Sequence, residues 1–456
     1  MASSDELIKP KKFRRGLDLG PPHPVTARPI ETMPAPSRVI VSLKQHRGKW
    51  CEPKVRTGDV VKMGQVLGDS ADPEAAPVHA PVSGKVLAVA DRVDPFGRKV
   101  PMVTIENDGA EEWVKAPEED SKFMKKKLSA MIRAVRESGV VQATTGRPVH
   151  IMLAPPERPK AYIFLVGIPV IKPAELLLVN ALDTEPTLAG NRRQLLERPT
   201  EAAAGIALLK KILGVKKAVL VMPDDLGDAS GVIQTAAGQE AQPLFIKNRY
   251  PVASPELLTL TVTGQEVPWP GGEPRDVGVA MLDLESILMI LEAVRDGRPQ
   301  IDRVVSVRGP EITPRNLRVR LGTPLGDVAA FTGATYEKAT KVVVGGVMDG
   351  VAQYTGEAPV TKEVRGLNVF GNEDPVVFNE HLCFKCGRCV AVCPMRLLPN
   401  VITNFCEFGY FSDAEDAELF KCLECGCCAY VCPAKRPLVH YLKHGKAEVT
   451  AMRAAR

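Results

Sequence analysis

Eight cysteines near the C-terminal end of this 456-residue chain repeat one spacing twice. The first run is Cys383-x-x-Cys386-x-x-Cys389-x-x-x-Cys393-Pro394, and it returns 39 residues later as Cys422-x-x-Cys425-x-x-Cys428-x-x-x-Cys432-Pro433. Three closely spaced thiolates can hold three irons of a cubane cluster, while the fourth cysteine sits on the helix that follows. In proteins with two such motifs the fourth cysteine serves the other cluster. The spacing therefore predicts two [4Fe–4S] clusters, one on Cys383, Cys386, Cys389 and Cys432, the other on Cys422, Cys425, Cys428 and Cys393. Tetrahedral zinc also uses C-x₂-C pairs, but two three-plus-one runs each closed by Cys-Pro are not its pattern. Disulfides would require an oxidising compartment, and no signal peptide precedes the chain. Cys406 and Cys427 fall inside the region but outside the spacing; Cys427, adjacent to a ligand, is expected to be a packed spectator rather than a ninth ligand.

The rest of the composition narrows the setting. Ten of eleven cysteines lie between 383 and 432, which marks a metal module in a reducing compartment. A formal net charge of +5 and 5% aromatic residues give no nucleic-acid footprint. No run of 18 or more apolar residues exists. The longest candidate, Ala161 to Ile171, stops at Lys172-Pro173 and reads as a buried strand. Arg14-Arg15 is followed by no apolar stretch or cleavage site, so a cytoplasmic protein docked on a membrane through partners is expected.

Around the cysteine module the chain divides into elements that must position it. Residues 1–37 are rich in proline and basic residues and form an extended arm, lying on the body or on a partner. Residues 38–115 alternate short strands with turns, as in Val55-x-x-Gly58-Asp59-Val60-Val61-x-x-Gly64-Gln65 and Ala80-Pro81-Val82-Ser83-Gly84-Lys85-Val86. This pairing resembles biotinyl/lipoyl barrel-sandwich domains, which carry their cofactor on a lysine at a hairpin tip. The tip here, Asp72 to Pro77, has no lysine, so a structural barrel is expected.

Residues 116–260 alternate helical and apolar strand periods, with a helix at Met124–Val135 and strands at Tyr162–Val166, Leu176–Val179 and Lys217–Met222. A helix capped by Thr200 lies between the last two. This predicts a three-layer α/β domain with a parallel sheet. Residues 261–372 are expected to form a small β-grasp domain, following a strand at Leu257–Val262. They would hold a strand at Val277–Ala280, a helix at Leu284–Val294, strands at Val304–Val307 and Leu317–Leu321, and a helix opened by Thr323-Pro324. The turn Gly345–Gly350 is either a plain tight turn or a place where backbone approaches a ligand or cluster. Residues 373–456 complete the two-cluster domain. His440 and His444, four apart on a terminal helix, are expected at the surface.

In this order the chain resembles the C subunit of the Rnf electron-transport complex. The matching stretches are His79-Ala80-Pro81-Val82-Ser83-Gly84, Arg303-Val304-Val305-Ser306-Val307, Asn316-Leu317-Arg318-Val319-Arg320, Ala358-Pro359-Val360-Thr361-Lys362 and both cysteine motifs. The resemblance implies a barrel-sandwich hybrid domain, a Rossmann-like α/β domain akin to the NADH-binding subunit of respiratory complex I, and a β-grasp (SLBB-like) domain. It adds a ferredoxin-type helical domain with two [4Fe–4S] clusters.

In that family a G-x-G-G-x-G-F-P loop helps hold FMN and NADH. The corresponding stretch here runs from Gly139-Val140-Val141-Gln142 to Gly146-Arg147-Pro148, without the glycine run, and resembles the A subunit of the sodium-translocating NADH:quinone reductase. Bulky side chains obstruct the close approach of backbone to phosphate, which argues against FMN and NADH. Asp183 and Glu185, from a half-kept N-G-A-E-C-E-P motif, are the pocket residues the resemblance suggests.

The function implied is a single-electron relay through two clusters, peripheral on the cytoplasmic face of the inner membrane. Its expected partners are membrane-embedded subunits and ferredoxin or another soluble carrier. The alternative is an FMN-containing NAD(P)H dehydrogenase or cobalamin-reductase-like subunit feeding the clusters; a pure assembly scaffold is disfavoured by eight correctly spaced ligands.

Overall fold

The computed structural model describes residues 8, 10, 12–20, 22–154, 173–226, 229–268, 271–309, 312–371 and 381–454. The strand expected at Tyr162–Val166 lies outside them. Arg38–Ser42, Lys99–Asn107, Gly84–Val93 and Val60–Val61 form a four-stranded antiparallel sheet facing a three-stranded one of Glu52–Pro53, Val66–Asp69 and Val78–His79. Alternate residues such as Val39, Val41, Val103 and Ile105 turn inward and close the core between the sheets. The tip at Asp72–Pro77 is exposed at Asp72, Pro73 and Glu74 and buried at Ala75, Ala76 and Pro77. The Pro73 carbonyl meets His150 Nε2 at 2.8 Å, and Arg136 pairs with Asp69.

The α/β unit holds four parallel strands in the order Gln242–Ile246, Lys217–Pro223, Leu176–Asn180, Val279–Asp283. Period-two alternation serves two cores at once. Leu177 and Val179 pack with the helices Pro199–Leu213 and Leu284–Arg295, while Leu176 and Leu178 pack with Leu258 and Val262 on the opposite face.

Two expectations are corrected here. Leu257–Val262 is not a strand but part of the helix Pro255–Thr263. Its Thr and Val content favours extended chain, but Ser254, Pro255 and Glu256 start a helix and left-handed Gly264 ends it. The boundary expected at residue 260 also fails. Val279–Asp283 pairs with Leu176–Asn180, so this strand and the helix after it belong to the α/β unit.

The following unit is a mixed six-stranded sheet: Ile30–Thr32, Ile312–Arg320, Asp302–Gly309, Gly366–Phe370, Lys341–Val344, Val351–Gln353. The helix Leu325–Phe331, starting one residue later than its proline signal suggested, covers one face through Leu325 and Val328. The N-terminal arm supplies the edge strand, pairing in parallel with Ile312–Arg320, and Asn316 anchors it by donating to the Val25 and Arg28 carbonyls.

The last unit is two copies of one helical design, 39 residues apart. Arg388–Val392 and Pro399–Glu407 answer to Cys427–Tyr430 and Leu438–Ala454. Cys406 is buried in the core between the long helices, against Gly445. Among the described residues no helix is long and apolar enough to cross a membrane.

Candidate iron–sulfur centre

Both cysteine loops fold alike because the same positions adopt left-handed backbone. Lys385 and Glu424 have φ of 56° and 57°, Gly387 and Gly426 both 76°, and Arg396 and Lys435 59° and 54°. Non-glycine residues enter this region at a cost, so two matched non-glycine pairs mark backbone wound tightly around something.

The thiols fall into two sets. Cys383, Cys386, Cys389 and Cys432 line one cavity, and Cys422, Cys425, Cys428 and Cys393 line the other together with Cys427, which lies outside the spacing. Each set takes three cysteines from one motif and the fourth from its twin. Among the described residues all eight are free of disulfides, and no three metal-ligating side chains converge tightly enough to bind a single ion. Thiols spread around a cavity suit a multi-iron cluster rather than a tetrahedral ion about 2.3 Å from each sulfur. Burial pushes the Cys422 thiol up to about 12 and raises Cys393 and Cys428 as well. Such sulfurs become thiolates only beside a compensating cation, which fits iron.

The two loops differ in their surroundings. The second lies against the rest of the chain: Met348, at the Gly345–Gly350 turn, brings its carbonyl oxygen to 2.8 Å from where a Cβ on Gly426 would stand. Cys427 is fully buried in an apolar cluster with Leu17, Tyr250 and Met348. Lys446 donates to Glu424 at 2.7 Å and to the Cys422 carbonyl at 2.6 Å, which neutralises the acid in that loop. Arg15, on the arm, donates to the Val390 and Cys393 carbonyls.

Asp183 and Glu185 both serve inward contacts. Asp183 accepts from the N–H of Asn191 at the start of the helix Gly190–Glu197, and burial raises its pKa to about 7. Glu185 accepts from the N–H groups of Met348 and Asp349, beneath Gly346, where a Cβ would collide with it. The Tyr250 hydroxyl lies 3.0 Å from Glu185 and 2.7 Å from the Cys425 carbonyl. Burial pushes Glu185 well above the usual carboxylate range. The single Tyr250 hydroxyl proton can be donated either to Glu185 Oε1 or to the Cys425 carbonyl. This bridge from the α/β unit to the second cysteine loop had no sequence signal, since Tyr250 belongs to no motif.

In the segment standing where the resemblance puts a flavin loop, the backbone makes local turns. Thr145 and Gly146 both donate their N–H groups to the Gln142 carbonyl, and Val149 donates to Val140. A Cβ on Gly139 would strike the Pro77 carbonyl, so that glycine serves packing between units.

Residues 11–110 match the RnfC barrel sandwich hybrid domain, 135–292 the Nuo51 FMN-binding domain and 375–433 a 4Fe-4S dicluster domain. The C subunit of the proton-translocating ferredoxin:NAD(+) oxidoreductase complex of Clostridium ljungdahlii is 34% identical, covering 96% of this chain and 94% of that one. The sodium-translocating counterpart of Acetobacterium woodii is 31% identical, with 92% of each chain covered. The C subunit of the Rhodobacter capsulatus ion-translocating oxidoreductase complex is 32% identical over 92% of this chain and 80% of its own. Among solved structures, a chain of an NAD+-reducing [NiFe]-hydrogenase aligns with a TM-score of 0.43 and 15% identity, over 64% of this chain and 54% of that one. The chain belongs to the RnfC family, the C subunits of ion-translocating oxidoreductase complexes.

Proposed function

We propose that this chain is the iron–sulfur relay subunit of an Rnf-type oxidoreductase complex, held at the membrane by embedded partner subunits. The observation that carries this reading is the division of eight thiols into two crossed sets of four. Cys383, Cys386, Cys389 and Cys432 would hold one [4Fe–4S] cluster, and Cys422, Cys425, Cys428 and Cys393 the other. Bound there, each cluster takes up and returns one electron. The chain's own residues tune and shield the sites. Lys446 and Arg15 place positive charge beside the second set, while Tyr250 and Met348 exclude water from it. The units around the clusters read as a Rossmann-like α/β domain and an SLBB-like β-grasp sheet, the latter holding the turn that meets the second cysteine loop.

The match of residues 135–292 to an FMN-binding domain favours a second reading, in which flavin and NADH feed the clusters. Against it stands a loop without the glycine run, in which Thr145 and Gly146 give their N–H groups to the Gln142 carbonyl. Anaerobic reconstitution of the clusters, addition of FMN and then of NADH separates the two readings. A relay without a nucleotide site keeps its visible absorbance with NADH and bleaches fully with dithionite; bleaching by NADH would make this a dehydrogenase subunit.

A further inference from the structure

The internal repeat allows the two cysteine loops to be compared position by position, and they differ in what covers them. In the second loop Gly426 abuts the Met348 carbonyl, and Cys427 is fully buried. At the matching position in the first loop a Cβ on Gly387 would meet nothing within 4 Å, and Arg388, the counterpart of Cys427, is exposed. Cys386 is exposed as well. Leu382 and Phe384, on either side of Cys383, stand 93% and 62% exposed, unusual for large apolar residues. Lys385 and Arg388 make no ion pair among the described residues.

We propose that the first cysteine loop is the docking face for an acidic electron-carrying protein, with Phe384 and Leu382 at its centre and Lys385 and Arg388 as its charged rim. The proposal rests on the relay reading, since it takes the adjoining cavity to hold a cluster. The commitment to an acidic partner comes from charge: both loop cations are unpaired among the described residues, whereas Lys446 and Glu424 neutralise each other in the covered loop. Electron transfer weakens steeply with distance, so the cluster whose loop is bare is the one a second protein can reach. The buried loop faces the α/β unit through Tyr250, which gives the chain an inner and an outer cluster.

The test uses the full chain with both clusters reconstituted, and as probe a dithionite-reduced acidic two-cluster ferredoxin. The rate of electron transfer from the probe is followed by stopped flow for the wild type, K385E/R388E, K385Q/R388Q and F384S. A fourth variant, K12E/R14E, alters a basic cleft on the Cys393 side, lined by Lys12, Arg14 and Arg396. Direct reduction by dithionite, which needs no docking face, is measured for each. Reversal of both loop charges is expected to slow transfer from the probe by about tenfold or more at low salt. F384S should slow it as well and the neutral double variant should fall between, each rate being taken relative to that variant's own dithionite rate.

Loop variants that match the wild type overturn the proposal. So does a loss confined to K12E/R14E, which would move docking to the cleft, or a wild type that dithionite reduces but the probe does not. A wild-type dimer dissolved by F384S would make the face a contact between two copies and would equally overturn it. A reconstituted chain holding no redox-active cluster would instead sink the relay reading itself.

Discussion

Asp183 shows how a residue marked by a motif can serve the fold. Its carboxyl is buried and holds its proton up to about pH 7 in the folded chain, against an ordinary value of 3.8. Between those values the folded state binds more protons than the unfolded one, so stability attached to this group is complete below pH 3.8 and is lost as pH rises through 7. Urea midpoints measured across that window should fall for the wild type relative to Asp183→Asn as pH rises; parallel curves would contradict the assignment. The cysteine pattern was legible because ligand spacing is local and survives any tertiary context. The Glu185–Tyr250–Cys425 bridge was not, since it joins residues 65 and 175 positions apart and depends on where a fold places them.

Single buried residues can tie several units together. Lys362, fully buried, donates to the Gly139 carbonyl at 2.6 Å and the Pro77 carbonyl at 3.2 Å, tying the barrel and the α/β unit to the six-stranded sheet. Its motif, Ala358 to Lys362, was visible in sequence, but its role as a three-way pin was not. Lys362→Met should cost about 1–3 kcal/mol for each carbonyl left without a partner, read from urea unfolding. A change under half that range would show that water replaces the amine.

The cysteine loops offer a matched pair. Gly387 and Gly426 share a φ of 76°, but only Gly426 meets another element. Gly387→Ala should cost only the left-handed penalty of about 1–2 kcal/mol. Gly426→Ala should cost more and expose Cys427 to thiol reagents. Equal costs would mean that the Met348 contact contributes little. The helix at Pro255–Thr263 teaches the complementary lesson: its β-branched interior misled, while its terminal residues carried the true signal.

At the scale of the whole molecule, order of units along the chain was readable from composition and periodicity, but their interleaving was not. The arm donates a strand to a sheet formed mainly by residues 302–370, and upstream of it Gly16 donates to the Val392 carbonyl while Leu17 packs against Cys427. The strand Val279–Asp283 completes a sheet whose central strands, Leu176–Asn180 and Lys217–Pro223, lie far upstream. Long-range pairings of this kind leave no local mark. Leu17, Tyr250 and Met348 cover the second cysteine loop, while Gly387 in the first has nothing within 4 Å of its Cβ position.

The most direct test of the account is whether the two clusters cross-share their fourth ligands. Serine replaces one cysteine at a time in the reconstituted chain, and the EPR spectrum of each reduced variant is compared. The account predicts that Cys393→Ser perturbs the same cluster signal as Cys422→Ser, and that Cys432→Ser perturbs the same signal as Cys383→Ser. If Cys393→Ser instead alters the signal that Cys383→Ser alters, each motif holds its own cluster and the crossed arrangement is wrong.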